Sequence, residues 1–285
     1  MRSLEIDESI LALIDRAIAE DLVDGEDVTS TATIAADAKS EAHFVVKRDG
    51  VIAGIAIAEA VMKRVGVENF EAKVSDGDSV RAGTIIASVQ GDTRKILLAE
   101  RTALNFLSRL SGIATLTRKW VDAVAGTKAQ VRDTRKTTPG LRTLEKYAVR
   151  VGGGINHRSS LSESALIKDN HIAASGSITK AFQAVRERFP SIEVEVEVDT
   201  LEQLREVIDA GATLLLLDNM DLKMTKEAVA IAAGRAKLES SGGLTLESAR
   251  SYAECGVDYL AVGALTHSAP ILDISLDFLD QKEQN

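Results

Sequence analysis

The spacing of apolar and polar residues divides the chain into regions with different periodicities. Residues 7–21 repeat apolar positions every three to four residues, which predicts an amphipathic helix. Between residues 41 and 89 the pattern changes to short alternating segments separated by glycine turns, with strands predicted at 43–47 and 51–55 and a helix at 58–65. This region is therefore expected to form a small α/β domain.

A long helical pattern over residues 93–125 follows the small domain. Its apolar positions keep helical spacing, and Gly112 is expected to mark a break in the helix because glycine is a poor helix former. A helix of this length is a natural connection between two domains.

From residue 127 onward, short apolar strands alternate with helices. Repeated βα units imply a parallel sheet, and this number of units predicts a closed or nearly closed barrel. The predicted strands are 129–132, 165–167, 192–198, 213–217, 237–239 and 259–262, and the predicted helices are 140–151, 178–189, 201–210, 222–233 and 245–255.

Polar or glycine residues follow every one of the predicted barrel strands. In β/α barrels the active site is built at the carboxyl ends of several strands, so a run of six such ends indicates a site there. Any single position has a simpler explanation, since βα loops are polar in general. The residues concerned are Asp133 to Lys136, Lys168 to Asn170, Glu197, Asp218, Ser241 to Gly243 and Gly263.

Acidic residues on the third barrel strand suggest a charged interior. Glu193, Glu195 and Glu197 alternate, so all three are expected to face the inside of the barrel, where they need cations. The candidate cations are Arg135, Lys136 and Lys168. Glu197 and Asp218, which end neighbouring strands, could hold Mg2+ through water or bind sugar hydroxyls, or could simply pair with a lysine.

Two glycine-rich segments are candidates for anion binding. Ser241 to Gly243 precedes a helix on the penultimate strand, and Gly263 ends the last strand, where β/α barrels often bind phosphate. Gly152 to Gly154 form a bend before His157 and Arg158, and arginine suits bidentate binding of carboxylate or phosphate. The segment from Gly152 to Arg158 is neither a Walker loop nor a dinucleotide-binding fingerprint.

Composition limits the possible functions. The net charge is −9, which argues against general nucleic-acid binding, yet eight basic and three acidic residues lie between Arg132 and Lys168. Within that stretch, Arg142, Lys146 and Arg150 have the four-residue spacing of a solvated helix face, whereas the other cations suggest a pocket for a small polyanion.

The cysteine and histidine content and the absence of a targeting pattern favour a cytoplasmic protein without a zinc site. The four histidines have no metal-ligand spacing, and the one cysteine, Cys255, excludes an internal disulfide and is expected to pack as a small residue. No secretory or membrane-spanning pattern is evident, so a cytoplasmic location with no membrane partner is expected.

Taken together, these segments resemble the quinolinate phosphoribosyltransferase family over nearly the whole chain and in the same order. The run Asp133 to Gly140 is the most specific of them. The resemblance is carried by Glu100 to Asn105, Leu110 to Thr115, Asp133 to Arg142, Gly152 to Arg158, Ile167 to His171, Glu195 to Val198, Leu216 to Asn219 and Glu239 to Gly243.

The resemblance implies both a fold and an activity. The fold is an N-terminal α/β sandwich domain (1–115, with the tail 271–285 packed on it) and an open α/β barrel of parallel strands (116–270). The activity is carboxylating phosphoribosyl transfer in de novo NAD biosynthesis: quinolinate and phosphoribosyl pyrophosphate (PRPP) become nicotinate mononucleotide, pyrophosphate and CO2. A homodimer is also implied, with Arg101 reaching the partner's site; whether dimers assemble further is left open.

The resemblance further implies roles for individual residues. Lys136, Lys168, Glu197 and Asp218 would be catalytic, and Glu197 and Asp218 would hold Mg2+. The substrate-binding set would be Arg101, Arg135, Lys136, Thr137, His157, Arg158, Lys168, Glu197, Asp218, Ser241, Gly242, Gly243 and Gly263.

Two other functions are compatible with the same residues. One is a paralogous phosphoribosyltransferase acting on another anionic base, which substrate profiling would separate. The other is a non-catalytic barrel that binds a phosphoribosyl ligand, although such a protein would not need the paired acids. The stretch 24–27 departs from the family's glycine-rich pattern and lies outside the chemistry.

Overall fold

The computed structural model describes residues 4–279, which form two compact units. The first unit consists of the described residues of Met1–Leu116, Arg150–Gly152 and Ala269–Asn285, and the second of Thr117–Val149 and Gly153–Ser268. The long helix α4 contributes its first part to the first unit and its end to the second.

The first unit combines an antiparallel sheet with helices. The sheet has the strand order β12-β1-β5-β3, and β2 pairs separately with β4. β12 lies antiparallel to β1 and brings residues 274–278 onto its edge. The elements are α1 (Glu8–Leu22), α2 (Val28–Thr33), β1 (Lys39–Val46), β2 (Gly50–Val51), α3 (Ile55–Arg64), β3 (Asn69–Ala72), β4 (Ser79–Val80), β5 (Ile85–Asp92), α4 (Thr93–Ala123) and β12 (Ile274–Phe278).

The strand expected at 51–55 is wrong for most of its length. β2 ends at Val51, and α3 begins at Ile55 because the Asp76 carboxylate accepts the N–H groups of Gly54 and Ile55 at the start of that helix. Gly54 has a φ of 103°, a left-handed conformation that few side chains tolerate. The apolar residues of this segment are buried by the turn and the helix, which sequence alternation alone does not distinguish from a strand.

The break expected at Gly112 is also wrong, since α4 runs without interruption. Gly112 is fully enclosed, and a Cβ there would overlap the backbone carbonyl oxygen of Pro270. The glycine therefore allows close approach of two backbone segments within the first unit.

The second unit is an open parallel barrel, as expected. Its six parallel strands have the order β6-β11-β10-β9-β8-β7, so β6 and β7 are the outermost strands of the sheet. Beside β6, Ile155 forms an isolated parallel bridge with Arg132. The elements are β6 (Gln130–Arg132), α5 (Arg142–Val151), β7 (Ala165–Ile167), α6 (Asp169–Ser175), α7 (Ile178–Arg188), β8 (Val194–Val198), α8 (Leu201–Asp209), β9 (Leu214–Asp218), α9 (Leu222–Ala232), β10 (Lys237–Ser241), α10 (Leu246–Glu254), β11 (Tyr259–Ala261) and α11 (Ala264–His267).

Two acids, rather than three, are buried on β8. Glu195 and Glu197 are 2% and 9% exposed. Glu193 precedes the strand and is exposed, so the expectation of a third interior acid is wrong. The cations are also partly different from those expected, because Lys168 pairs with Glu197 and Arg132 pairs with the interior acid Glu239. The other interior acid, Glu195, contacts the ring of His157.

Of the helices within residues 4–279, none has the length and apolar character required to cross a bilayer. Cys255 is a free, buried thiol whose Sγ donates to the carbonyl oxygens of Ser251 and Leu222. Burial raises its pKa, which is consistent with a packing role.

Candidate active site

The carboxyl ends of the parallel strands bring the candidate residues of the second unit to one edge of the sheet. Each strand contributes to this edge through the loop that follows it, and the segment beside β6 contributes two more residues. The residues placed there are Arg135, Lys136, Thr137, His157, Arg158, Lys168, Glu197, Asp218, Ser241, Gly242, Gly243 and Gly263.

Two guanidinium groups form the cationic part of this edge. The Nε atoms of Arg135 and Arg158 are both buried, and neither has a hydrogen-bond partner within the described part of the chain. Arg158 Nη1 donates to the carbonyl oxygen of Ser164 at 2.8 Å, which fixes the side chain. Burial lowers the pKa of Arg158, and the charge of Arg135 lowers it further. The two like charges therefore repel each other, and each guanidinium group has a buried Nε donor without a partner among residues 4–279.

Lys168 and Glu197 link the next two strands. Lys168 Nζ lies 2.7 Å from Glu197 Oε2, and Lys168 is the half-exposed partner. The backbone N–H of Lys168 donates to His171 Nδ1 at 3.0 Å, so His171 caps the short helix α6. Lys168 and Glu197 therefore place a cation and an anion in direct contact at the carboxyl ends of the strands.

Asp218 is the second acid at this edge. Burial raises its pKa, and the charge of Asp199 raises it further, while Lys168 acts in the opposite direction. Asn219 Nδ2 donates to Asp218 Oδ2 at 2.7 Å. Asp218 is thus a partly buried carboxylate near both a second acid and a cation.

The glycines in the loops after β10 and β11 pack closely against neighbouring residues. Gly242 has a φ of 88°, and a Cβ there would overlap Asn219 Oδ1. At Gly263 a Cβ would lie 3.1 Å from both Lys136 Cδ and His267 Nε2. Glycine at these two positions therefore avoids crowding of Asn219, Lys136 and His267.

Beneath this edge, the ring of His157 is bound on both sides. The backbone N–H of Arg158 donates to its Nδ1 at 2.8 Å, so the neutral ring carries its proton on Nε2, which lies 2.7 Å from Glu195 Oε2. Burial lowers the pKa of His157, which favours this neutral form. Glu239 also lies within 3.6 Å of Nε2, and Arg132 Nη1 contacts Glu239 at 2.6 Å.

His157, Glu195 and Glu239 are close enough to be considered as metal ligands. The protonated Nε2 cannot coordinate a cation, however, and the Arg132 guanidinium already supplies positive charge to Glu239. We therefore interpret this cluster as a buried hydrogen-bonded network.

Comparison with known proteins identifies the family of the chain. The family model for the N-terminal domain of quinolinate phosphoribosyl transferase matches residues 27–111, and the model for the C-terminal domain matches residues 113–277. The chain belongs to the quinolinate phosphoribosyltransferase family. The match includes both units, so the membership concerns the whole domain organisation.

Individual relatives of the family show the same extent of similarity. The chain is 53% identical over 270 residues to the carboxylating nicotinate-nucleotide pyrophosphorylase of Mycobacterium leprae, covering 93% of this chain and 95% of that one. It is 45% identical to the mitochondrial decarboxylating quinolinate phosphoribosyltransferase 2b of Nicotiana tabacum, covering 91% and 79%. The crystal structure of NadC from Streptococcus pyogenes superposes with a TM-score of 0.93 at 38% identity, covering 98% and 100%.

One predicted member of the quinolinate phosphoribosyltransferase site belongs to the first unit. Arg101 is exposed on α4. Its proposed action in a partner subunit stays a prediction.

Other important residues were missed by sequence reasoning. Lys146 was assigned to a solvated helix face, but it is 2% exposed and pairs with the fully buried Asp133. Glu239 and Arg132 form the interior ion pair. The alternation of Glu239 with Ser241 on one strand could have indicated an inward carboxylate, whereas no local pattern indicates that Lys146 points inward.

Proposed function

We propose that this chain transfers the phosphoribosyl group of PRPP to the ring nitrogen of quinolinate and forms nicotinate mononucleotide, pyrophosphate and CO2 in NAD biosynthesis. The observation that carries the proposal is the adjacent pair Arg135 and Arg158, whose buried Nε atoms lack partners among residues 4–279. Two neighbouring carboxylates on one ring would relieve the repulsion between these guanidinium groups and use their free donors.

The base is held by the cationic edge. Arg135 and Arg158 bind the two carboxylates, and Lys168 and Thr137 complete the pocket. His157 has both ring nitrogens engaged, so we propose that it acts by holding the Arg158 backbone. A monocarboxylate would leave one guanidinium group without its counter-charge, which is the physical basis for selecting quinolinate.

Transfer then requires two kinds of electrostatic stabilisation. Acids must stabilise the positive charge that develops on the ribose, and cations must stabilise the negative charge of the departing pyrophosphate. The ring nitrogen forms its bond to the ribose C1 while the C1–O bond to pyrophosphate breaks, and pyrophosphate leaves with that electron pair. Glu197 and Asp218 stabilise the positive charge that develops on the ribose, and Lys136 and Lys168 offset the charge of pyrophosphate. The backbones of Ser241, Gly242, Gly243 and Gly263 hold the 5′-phosphate.

Loss of CO2 follows from the new charge on the ring. Once the nitrogen is cationic, the bond to the adjacent carboxylate breaks, CO2 leaves, and its electron pair stays on the ring carbon as an ylide. A proton from water then completes the product. No covalent bond to the protein is required.

The acids at this edge fit Mg2+. Asp218 and Asp199 repel each other through their charges, and oxygen donors of this kind are those that Mg2+ prefers. We propose that Asp218 holds the ion and that Glu197, already bonded to Lys168, acts through water. When bound, Mg2+ would neutralise part of the pyrophosphate charge.

The assembly and location are proposed on the family resemblance. The active unit would be a homodimer in the cytoplasm, in which Arg101 completes the partner's site. Mixing Arg101→Ala with Lys136→Ala subunits should restore activity that neither variant has alone. Complete absence of rescue would contradict the action of Arg101 in the partner.

The activity itself is tested by product stoichiometry. Purified protein with Mg2+, PRPP and quinolinate should release pyrophosphate and CO2 in equal amounts, and chelation of the metal should stop both. Efficient use of nicotinate in place of quinolinate would instead indicate a paralogous transferase. Tight PRPP binding without any turnover would indicate a binding protein.

A further inference from the structure

The carboxylate of Asp133 is a buried junction between two loops of the second unit. Asp133 is the first residue after β6 and is fully buried. Its carboxylate accepts hydrogen bonds from Lys146 Nζ at 2.5 Å, Asn156 Nδ2 at 2.5 Å and the backbone N–H of His157 at 2.8 Å. One side chain thus binds α5 and the segment that runs beside β6.

Lys146 reinforces the same junction from α5. It is 2% exposed, and its Nζ also donates to the backbone carbonyl of His157 at 2.8 Å. Asp133 and Lys146 therefore hold both the N–H and the carbonyl of His157. The backbone of Asp133 adds a further bond, from its N–H to the carbonyl of Ile155 at 3.2 Å.

The junction lies next to both arginines that bind the base in the proposed function. Arg135 follows Asp133 by two residues, and Arg158 follows His157 directly. A change in the separation of these two backbone segments would change the separation of the two guanidinium groups. Their spacing must match the two carboxylates of one small ring.

Burial costs this ion pair much of the free energy that its charges would otherwise contribute to folding. Desolvation raises the pKa of Asp133 and lowers that of Lys146, so it opposes the charged form of both partners. Buried ion pairs can often be replaced by uncharged residues with little loss of stability. We therefore look for a role of the Asp133–Lys146 pair in positioning neighbouring residues rather than in stabilising the fold.

We infer that Asp133 and Lys146 are positioning residues that set the distance between Arg135 and Arg158 and thereby the enzyme's selectivity for an adjacent dicarboxylate. The inference rests on the proposed function. The two residues do not touch the substrate in this account, and they act through the loops they join. Their removal should affect quinolinate recognition more than PRPP recognition. The glycine loops after β10 and β11 hold the 5′-phosphate of PRPP, and the backbone of Lys136 is held separately, because Thr266 Oγ1 donates to its carbonyl oxygen at 2.8 Å.

The decisive variant removes both charges together. In Asp133→Asn/Lys146→Met neither buried charge is left unpaired, so the protein should fold with a similar melting temperature. We expect kcat/KM for quinolinate to fall about ten-fold or more, mainly through KM, because small errors in position cost large factors in rate. The KM for PRPP should change much less.

A matched control lies at the amino-terminal end of the parallel strands, opposite to the candidate site. Lys128 and Asp258 form a partly exposed ion pair, with Nζ and Oδ1 2.9 Å apart, before β6 and β11. Asp258→Asn keeps a side-chain oxygen that can accept the backbone N–H of Leu238. The double variant Lys128→Met/Asp258→Asn should leave both KM values unchanged. Asn156→Ala, which removes one uncharged donor to Asp133, should raise the quinolinate KM in the same direction and serves if the first variant does not fold.

The outcomes separate this inference from the proposed function. If the wild-type protein does not convert quinolinate, the proposed function fails. If the wild type is active and the folded Asp133→Asn/Lys146→Met and Asn156→Ala variants keep its quinolinate KM, the positioning role is wrong. A shift in melting temperature with unchanged kinetics would assign the pair to stability alone.

Discussion

Lys168 donates a hydrogen bond to Glu197 across 2.7 Å, so an acid near the carboxyl end of β8 is in contact with a cation that directly follows β7. The two residues have opposite tasks in the proposed reaction. Glu197 faces the ribose, where positive charge develops, and Lys168 faces the anionic groups. Their contact places a carboxylate and an ammonium group side by side at the carboxyl ends of β7 and β8.

Replacing Glu197 with Gln should therefore reduce chemistry more than binding. The variant keeps the shape and loses the charge, so kcat should fall by about 100-fold, the usual scale for one electrostatic contact to a transition state. Steady-state kinetics with both substrates measures this. Glu202→Gln, an exposed acid on α8, is the control. An unchanged kcat for Glu197→Gln would remove Glu197 from the mechanism.

Gly242→Ala should impair the phosphate loop by steric overlap. Its Cβ would overlap Asn219 Oδ1, and its φ of 88° adds backbone strain. The KM for PRPP should rise about ten-fold or more, in line with the loss of one or two well-placed contacts. Gly234→Ala controls for strain alone, since Gly234 has a φ of 79° and open space around it. Equal effects of the two substitutions would rule out a special role for Gly242.

Glu239 should make the stability of the protein depend on pH. Burial, followed by the charge of Glu195, raises its pKa from 4.5 to about 7. Between these values the folded state keeps a proton that the unfolded chain has lost. The contribution of Glu239 to the free energy of unfolding is therefore fully present below the unfolded pKa and is lost as the pH rises through about 7.

Glu239→Gln keeps the group neutral and should remove this loss. Relative to wild type, the variant should gain about 1 kcal/mol or more between about pH 5 and about pH 8, because one pKa unit corresponds to about 1.4 kcal/mol. Urea unfolding at several pH values measures the difference. Glu187→Gln, at an exposed position, should give no such gain. Parallel pH profiles for wild type and Glu239→Gln would contradict the raised pKa of Glu239.

Gly112→Ala should destabilise the first unit. The new Cβ would overlap the Pro270 carbonyl oxygen, and overpacking of this kind costs about 1–3 kcal/mol. Thermal unfolding measures the loss. Gly91→Ala is the control, because a Cβ there would lie at an ordinary 3.5 Å from Val67. A loss no larger than that of Gly91→Ala would mean that the backbones can separate without cost.

The sequence predicted those features that depend on local periodicity. The alternation of strands and helices after residue 127 predicted the parallel barrel, and the residues after each strand predicted which side chains meet at its carboxyl edge. Both follow from rules that hold for every βα unit.

Features that depend on long-range packing were not predictable. Gly112 was predicted to break the helix because the residue that requires a glycine there, Pro270, is distant in sequence. Lys146 was predicted to be solvated because its helical spacing from Arg142 and Arg150 gives no information about its buried partner Asp133. Glu193 was placed inside because the pattern extends past the true start of β8 at Val194.

The central claim is that the paired guanidinium groups of Arg135 and Arg158 select a ring with two adjacent carboxylates. Calorimetric titration of quinolinate and of nicotinate into the wild type and into Arg158→Ala measures this directly. We predict that the wild type binds quinolinate at least about ten-fold more tightly than nicotinate, since one charge-assisted contact contributes about 1.5 kcal/mol or more, and that Arg158→Ala loses this preference. Equal affinities in the wild type, or a preference that survives in Arg158→Ala, would contradict the account.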